Sequence, residues 1–262
     1  MNPSALVASF NRLSLWRHRV RVWGFTLSAP TFDRSLYLWL HRLGRMGRNE
    51  REYFSKVIRP GMHVVDVGAN IGLYSLLFAK LVGPEGRVFS FEPDELMVQA
   101  LRENIVANGV GHAEVFACAV GATAGQAVLQ RNALNSGDNR MGESQTLLHS
   151  DHATVPVRAL QDALHGRRVD FIKMDVQGWE GEALRGLAGL LDANPGLQIY
   201  FEFWPYGLEK AGTTIPRLAE ILRNLGLHVW LAELRKDAAP VDLEECARAL
   251  KAGAFTNLLC AR

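Results

Sequence analysis

A single stretch decides the fold of this chain, and residues 63–77 read HVVDVGANIGLYSLL. The segment from His63 to Val67 is rich in β-branched residues and predicts a short buried strand. Gly68 and Gly72 frame a tight turn, and the apolar pattern that follows predicts a helix. A strand, a glycine-containing turn and a helix in this order are typical of a parallel sheet that binds a polar ligand at the turn, where the unpaired N–H groups of the new helix are offered.

The spacing of the glycines separates two kinds of nucleotide-binding turn. A dinucleotide-binding turn has the spacing G-x-G-x-x-G, whereas this chain has Asp66-x-Gly68-x-Asn70-x-Gly72. That spacing is similar to the acid-and-glycine loop of class I S-adenosylmethionine (SAM) methyltransferases, with Asn70 where many members have glycine. Asparagine tolerates a positive φ better than other non-glycine residues, so this exchange is physically reasonable. An ordinary turn of another α/β protein is the alternative.

Length and composition are those of a globular protein with one sizeable core. The 262 residues are 48% hydrophobic and 21% charged, and the net charge of +2 gives no overall case for nucleic acid or a membrane surface. The charge is uneven, because residues 1–60 contain eleven Arg or Lys and three Asp or Glu. A basic arm can bind an anionic partner, although a solvated helical face explains the same pattern.

Cysteine usage and hydropathy predict the compartment. Cys118, Cys246 and Cys260 show neither paired nor metal-type spacing. No apolar run approaches the roughly 18 residues of a membrane-spanning helix, and the N-terminus lacks the pattern of a signal peptide. We therefore expect a cytoplasmic protein with no transmembrane segment and no metal.

The first 48 residues predict a helical extension. Apolar residues at spacings of three and four predict one amphipathic helix through at least Arg19 and a second over 32–43. A third helix is predicted from Asn49, which can cap it, to about Ile58. We accordingly divide the chain into an N-terminal helical extension, residues 1–48, and a main domain, residues 49–262. The extension would also suit a homodimer contact.

A second acid falls where the next predicted strand ends. Residues 87–91 predict that strand, and Glu92 follows it, 20 residues after Gly72. In a βαβ unit this spacing brings a carboxylate beside the first turn, where it can accept both hydroxyls of a ribose. Pro93 stiffens the turn, and a helix cap is the alternative for the acid. After a third strand, Ala119 and Val120 would leave room for an adenine ring and wall it.

Further polar residues follow two more predicted strands. Residues 171–174 predict a buried strand that contains Lys173, and Asp175 and Glu180 come after it. Another strand, 197–203, places Glu202 near its carboxyl end. Because the carboxyl ends of neighbouring parallel strands meet at one edge of a sheet, we expect these acids near the first turn. Asp175, Gln177 and Glu180 should then face the transferable methyl or the substrate. Helix capping is the alternative for Glu180, because a helix is predicted from Trp179 to about Leu191.

Together these motifs resemble the FkbM-type methyltransferases, from about residue 49 to residue 260. The matching segments are Asp66-Val67-Gly68-Ala69-Asn70-Ile71-Gly72, Phe91-Glu92-Pro93, Ala119-Val120-Gly121, Ile172-Lys173-Met174-Asp175-Val176-Gln177-Gly178-Trp179-Glu180 and Phe201-Glu202. The resemblance implies an α/β fold with a doubly wound, mostly parallel seven-stranded sheet, as in class I SAM-dependent methyltransferases. It also implies O-methylation of hydroxyls on small molecules, sugars or natural products.

The hypothesis for the site follows from these motifs. We expect SAM to be held by Asp66, Gly68, Ala69, Asn70, Gly72, Glu92, Pro93, Ala119, Val120 and Asp175. Asp175 is the first choice for orienting or deprotonating the acceptor hydroxyl, with Glu202 second. Glu180 and Lys173 are expected to support them.

Three alternatives are left open. An N-methyltransferase or nucleic-acid methyltransferase is one, although Asp175-Val176-Gln177-Gly178 stands where amino-directed DNA enzymes carry an Asn/Asp-Pro-Pro-aromatic block. A divalent metal on Asp175 and Glu202 is the second. The third is a SAM-binding scaffold without catalysis.

Overall fold

The computed structural model describes residues 19–30, 48–132, 135–142, 151–232 and 239–262. The strands of these residues are β1 (Arg19–Val22), β2 (Phe25–Ser28), β3 (His63–Val67), β4 (Arg87–Phe91), β5 (Ala113–Phe116), β6 (Ala119–Val120), β7 (Gly125–Arg131), β8 (Arg140–Met141), β9 (Asp151–Arg158), β10 (Phe171–Met174), β11 (Gln198–Phe203), β12 (His228–Leu231) and β13 (Thr256–Ala261). The helices are α1 (Arg48–Val57), α2 (Leu73–Val82), α3 (Glu95–Ala107), α4 (Leu160–Ala163), α5 (Glu180–Arg185), α6 (Ala188–Ala193), α7 (Pro205–Lys210), α8 (Ile215–Asn224) and α9 (Leu243–Ala249), with a 3₁₀ turn at Ser136–Asp138.

The main sheet has seven strands in the order β12-β13-β11-β10-β3-β4-β5. Strands β11, β10, β3, β4 and β5 are parallel, and β13 runs antiparallel to both of its neighbours. This confirms the predicted doubly wound, mostly parallel sheet. The strand order reverses between β3 and β10, and open α/β sheets bind ligands at such a switch point.

The core lies on both faces of this sheet. Val64, Val88 and Phe171 stand in register and pack into one hydrophobic cluster with α1 and α2. The next position along each strand, which includes Val65 and Ile172, joins a second cluster with α5, α6 and α8. Burial on both faces explains why these strands are apolar throughout instead of alternating.

A second sheet is inserted between β5 and β10. It has four strands in the order β6-β9-β7-β8. The sequence predicts an accessory strand at 125–130 and an extended piece at 155–158, and the structure pairs them as β7 and β9. Trp179 packs against this sheet and donates its indole N–H to the Val120 carbonyl oxygen at 3.0 Å. The accessory sheet therefore lies beside the turn that follows β10.

The described part of the predicted helical extension is a β hairpin, so the prediction of a helix through Arg19 is wrong at that end. Val20 and Val22 are buried while Arg19 and Arg21 are exposed, which is the period of a strand. Trp23 and Gly24 both have positive φ, 54° and 89°, as a tight hairpin turn requires. Residues 1–18 and 31–47 lie outside the described residues, so the rest of the first predicted helix and the second one, over 32–43, are not described. The division of the chain at residue 48 stays a prediction.

The hairpin is attached to α3 by two asparagines, one helical turn apart. The Asn104 side chain accepts from the Ser28 N–H at 2.7 Å and donates to the Ser28 carbonyl oxygen at 2.9 Å. Asn108 does the same with Thr26, at 3.0 and 2.8 Å. The two amides therefore replace a strand at the free edge of β2. Asn104 also donates to the carbonyl oxygen of Ile71 at 2.8 Å, which links the hairpin to the turn after β3.

The helix predicted from Trp179 to about Leu191 is divided into α5 and α6. Gly186 separates them, and a Cβ there would lie 2.3 Å from the carbonyl oxygen of Gly121. The backbone of the accessory sheet thus passes too close for any larger residue. Within the described residues, no helix is both long and apolar enough to cross a membrane.

Candidate active site

A cavity of about 500 Å³ opens at the carboxyl ends of the central strands, within the usual range for ligand pockets. Four parts of the chain form most of its wall: the turn after β3, the ends of β4 and β10, and the segment after β7. Of the predicted site residues, the cavity is lined by Gly68, Ala69, Asn70, Glu92, Pro93, Ala119, Val120, Lys173, Asp175 and Glu202.

Gly68 allows the loop after β3 and the loop after β10 to approach each other closely. Its φ is 78°, and a Cβ there would lie 1.9 Å from the carbonyl oxygen of Asp175. Only glycine allows this approach, so the turn after β3 and the turn after β10 are in direct backbone contact. The Asp175 N–H also donates to the Val67 carbonyl oxygen at 3.0 Å.

Asn70 adopts the left-handed conformation that the sequence predicts, with a φ of 49°. Its side-chain oxygen accepts from the Ile71 N–H at 2.8 Å, and its amide nitrogen donates to Ser136 Oγ at 3.2 Å. These two bonds stabilise a conformation that costs free energy for any residue with a Cβ. They also connect the first turn to the segment after β7.

Glu92 lies at the end of β4, as predicted, and is 6% exposed. Its two carboxylate oxygens accept from the N–H groups of Asn70, at 2.8 Å, and Asp94, at 2.9 Å. Burial raises the pKa of Glu92 to about 7, although both backbone hydrogen bonds lower it. The carboxylate is therefore fixed in direction at the cavity wall, and each oxygen keeps a lone pair for a further donor.

Asp66 and Gly72 lie behind the cavity wall and do not line it. Asp66 is fully buried and accepts from Ser75 Oγ at 2.6 Å, while its other oxygen has no hydrogen bond and lies 3.7 Å from Lys173 Nζ. A Cβ at Gly72 would lie 2.4 Å from Leu101 Cδ1, so this glycine allows α2 to pack against α3. The sequence could not separate these roles from ligand contact, because both residues belong to the same motif.

One end of the cavity is apolar. Ala119 and Val120 are buried there, beside Cys118, Leu129 and Met141. The sequence predicts the first two, whereas Leu129 and Met141 come from the accessory sheet. Such a wall suits a planar, weakly polar ring.

The Asp175 carboxylate is held at both oxygens. Gln177 Nε2 donates to Oδ1 at 2.8 Å, and Lys173 Nζ lies 3.5 Å from Oδ2. Gln177 also lines the cavity and has a φ of 55°, which is unusual for a residue with a Cβ. The sequence predicts Gln177 near the site, as a residue that follows β10 beside Asp175, but it does not predict the positive φ, since no pattern in the sequence marks a non-glycine residue with that conformation.

Glu202 faces the same cavity from the end of β11. Burial raises the pKa of Glu202 well above its ordinary range, repulsion by Asp175 and Glu180 raises it further, and Lys173 lowers it. These effects favour the protonated form of Glu202, a carboxylic acid that can donate a hydrogen bond.

Glu180 lies beneath the cavity and does not line it. One of its oxygens accepts from the Val176 N–H at 3.0 Å, and the other is buried without a hydrogen bond from the described residues. Burial raises the pKa of Glu180 to about 7. Glu180 therefore contacts the loop that it ends and does not face the cavity, contrary to the expectation from its place after β10, and its supporting role stays a prediction.

The segment 131–142, in its described residues, forms the roof of the cavity. The sequence predicts a polar loop at 132–142, of a length typical of functional loops, but none of its contacts. Arg131 donates to both oxygens of Asp94, which also accepts from Asn139 Nδ2 at 2.9 Å. Asp94 is buried and caps α3 at Leu96 N–H. The roof is thus attached to the loop that carries Glu92.

The topology of the sheet and the position of this cavity define a class I methyltransferase fold. The model of the methyltransferase FkbM domain matches residues 66–229. Since this is more than half of the chain, the chain belongs to the FkbM methyltransferase family. The domain is a methyltransferase domain, and its cofactor is SAM.

Individual relatives match shorter parts of the chain. Methyltransferase 1 of Beauveria bassiana is 25% identical over 144 residues, which are 47% of this chain and 57% of that protein. The 31-O-demethyl-FK506 methyltransferase FkbM of Streptomyces tacrolimicus is 47% identical over 68 residues, 26% of this chain and 25% of that protein. The chain therefore spans less than two thirds of the length of these relatives. A SAM-dependent methyltransferase from Aquifex aeolicus aligns with a TM-score of 0.46 at 20% identity, over 88% of this chain and 98% of that one.

The residues present fit SAM. The apolar end of the cavity suits the adenine, and Glu92 suits the ribose. No side chain caps α2 at Gly72, so its first N–H groups are open to a carboxylate, and Leu73 and Tyr74 of that turn line the cavity. Asp175 supplies negative charge for a cationic ligand. Among the described residues, no three His, Cys, Asp or Glu side chains are grouped as for a metal ion.

Proposed function

We propose that this protein transfers the methyl group of SAM to a hydroxyl of a small molecule, sugar or natural product. The observation that carries the proposal is the Asp175 carboxylate, which lines the cavity and is held at one oxygen by Gln177 and at the other by Lys173. A hydroxyl must lose its proton when its oxygen is methylated, and a fixed carboxylate beside the acceptor can take that proton.

The cofactor contacts follow from the cavity wall. Gly68, Ala69 and Asn70 would hold SAM with their backbone, and Glu92 would accept the ribose hydroxyls while Pro93 stiffens its loop. Ala119 and Val120 would form the wall beside the adenine. Asp66 and Gly72 support this turn from behind, which revises the expectation that they contact the cofactor directly.

The chemical step divides between cofactor and protein. When bound, SAM would supply an electrophilic methyl group for the acceptor oxygen, and the electron pair of its carbon–sulfur bond would stay with sulfur. Asp175 orients the acceptor hydroxyl and takes its proton at a carboxylate oxygen. Glu202, whose raised pKa favours the protonated form, can donate a hydrogen bond to the acceptor, and Glu180 fixes the loop between them. The cytoplasmic location and the homodimer remain proposals of the same kind.

The assignment of Asp175 can be tested without knowing the acceptor. Sinefungin carries a protonated amine where SAM carries the transferable methyl, whereas S-adenosylhomocysteine has no charge there. We expect the wild type to bind sinefungin more tightly than S-adenosylhomocysteine in calorimetry, and Asp175→Asn to lose about tenfold of that preference, the loss typical of a charge-assisted hydrogen bond.

Asp162→Asn is the matched control, since Asp162 is exposed on α4. It should leave the preference unchanged. A preference that persists in folded Asp175→Asn would exclude this carboxylate from the reacting end of the cavity. A screen of hydroxylated compounds against their amine and deoxy counterparts then decides the acceptor atom.

A further inference from the structure

A row of polar side chains crosses one face of the central strands. Ser90, Asp66, Lys173 and Tyr200 stand in register on β4, β3, β10 and β11. Each is at most 4% exposed. Strands that are buried on both faces are normally apolar, and a buried polar group costs free energy unless it is paired. This row therefore needs an explanation beyond packing.

Lys173 is the cation at the centre of the row. Its ammonium lies 3.7 Å from Asp66 Oδ1 and 3.5 Å from Asp175 Oδ2, and 4.8 Å from the ring centroid of Tyr74. Burial lowers the pKa of Lys173, but attraction by Asp175, Asp66 and Glu50 outweighs burial and leaves that pKa above its ordinary value. The side chain is therefore charged.

The two carboxylates beside Lys173 differ in exposure. The Asp66 side chain is fully buried, whereas that of Asp175 is 36% exposed toward the cavity. Asp66 is thus a fixed partner at the back of the ammonium, and Asp175 is the partner that a ligand can reach.

Glu50 completes the arrangement from α1, which precedes the residues that match the family model. It accepts hydrogen bonds from the hydroxyls of Tyr74 and Tyr200, the latter at 3.3 Å. A phenol that donates to a carboxylate has a more electron-rich ring, which attracts a cation over its face more strongly. Glu50 therefore acts on Lys173 through the ring of Tyr74.

We propose that Lys173 is a positioning residue for Asp175, and that Asp66 and Glu50 are the carboxylates that hold Lys173 in place. The inference rests on the proposed function, because it assumes that Asp175 is the group beside the transferable methyl. It assigns to Asp66 a role that its motif does not suggest: this acid acts through Lys173 and does not contact the cofactor.

The test compares sinefungin with S-adenosylhomocysteine in Lys173 and Tyr74 variants. Both ligands share the adenosine and amino-acid parts, so a general structural defect weakens both equally and leaves the ratio of their affinities unchanged. We expect Lys173→Met to lower the preference for sinefungin about tenfold and Lys173→Arg to restore most of it, since the charge is retained. Tyr74→Phe removes the hydroxyl that donates to Glu50, and it should lower the preference for sinefungin about threefold.

Lys80→Met is the matched control, because Lys80 is an exposed lysine on α2. The ratio of its affinities for sinefungin and S-adenosylhomocysteine should equal that of the wild type. If Lys173→Met does not fold, Tyr74→Phe decides: a lowered ratio supports the inference and an unchanged ratio overturns it. An unchanged ratio in folded Lys173→Met overturns it as well, while Asp175 keeps its assignment. If the wild type shows no preference for sinefungin, the proposed function fails and the inference fails with it.

Discussion

At the residue scale, Gly68 decides whether the site can form. A Cβ at this position would overlap the carbonyl oxygen of Asp175 at 1.9 Å and would also require a positive φ of 78°. The backbones after β3 and β10 would have to separate, and both carry cavity-lining residues. The requirement for glycine here is therefore steric and conformational at once.

We predict that Gly68→Ala lowers the free energy of unfolding by more than about 2 kcal/mol and abolishes SAM binding. Gly109→Ala is the control, because Gly109 has a φ of 69° with nothing within 4 Å of the added Cβ. It should cost about 1 kcal/mol and leave binding intact. Urea unfolding and calorimetry measure both effects. Equal costs for the two variants would show that the close approach is absent.

A second prediction at the residue scale concerns Glu92 and the pH dependence of ligand affinity. Burial raises the pKa of Glu92 in the free protein to about 7. A ribose hydroxyl that donates to this carboxylate stabilises the charged form, so ligand binding lowers the pKa of Glu92 and releases a proton. Affinity should therefore rise with pH up to about 7 and level off above it, with a slope approaching tenfold per pH unit on the acid side.

The measurement uses 5′-methylthioadenosine, which has the ribose but no ionisable amino acid. The heat of its binding is measured by calorimetry at pH 6.5 in buffers of different ionisation enthalpy. The dependence of that heat on the buffer gives the number of protons released. Proton uptake, or an affinity that does not change between pH 5.5 and pH 8, would contradict the ribose contact.

At the element scale, the roof depends on its attachment to Asp94. Arg131 approaches both oxygens of Asp94, at 3.0 Å for the closest pair, and Asn139 shares the same carboxylate. Because Asp94 caps α3 and lies two residues after Glu92, this one side chain connects the roof to the ribose loop.

We expect Arg131→Met to weaken SAM binding between about threefold and tenfold, because hydrogen bonds to a buried charge are lost. Arg167→Met is the control, since the pair of Arg167 with Glu114 is exposed and contributes little. Calorimetry and thermal unfolding of both variants decide the matter. Identical SAM affinities in the two variants would show that the roof forms the cavity without this attachment.

Elements also show where prediction from sequence stops. The turn of residues 68–72 and the acid at Glu92 are readable because glycine chemistry and the βαβ spacing are local properties. The hairpin β1–β2 is not, since the amides that complete its edge belong to Asn104 and Asn108, 76 and 82 residues away in the chain. The accessory sheet has the same difficulty, because β6 pairs with β9 across the whole insertion.

At the scale of the whole molecule, the sequence predicts which residues belong to the candidate site better than it predicts what each of them does. Asp66 and Asp175 both stand in glycine-containing motifs at strand ends, and the sequence treats them alike. Register separates them: Asp66 stands opposite Lys173 in the sheet and does not line the cavity, whereas Asp175 lies past the strand and faces the cavity. Such a distinction depends on contacts between residues about a hundred positions apart, which spacing within one motif does not contain.

The most direct test of the account is calorimetric binding of SAM and S-adenosylhomocysteine to the wild type, Glu92→Ala and the exposed control Glu95→Ala. We predict one-to-one binding of both ligands to the wild type and to Glu95→Ala, and a loss of affinity of at least about tenfold in Glu92→Ala, whose folding is checked by thermal unfolding. Folded wild type that binds neither ligand, or Glu92→Ala that binds as well as the control, would contradict it.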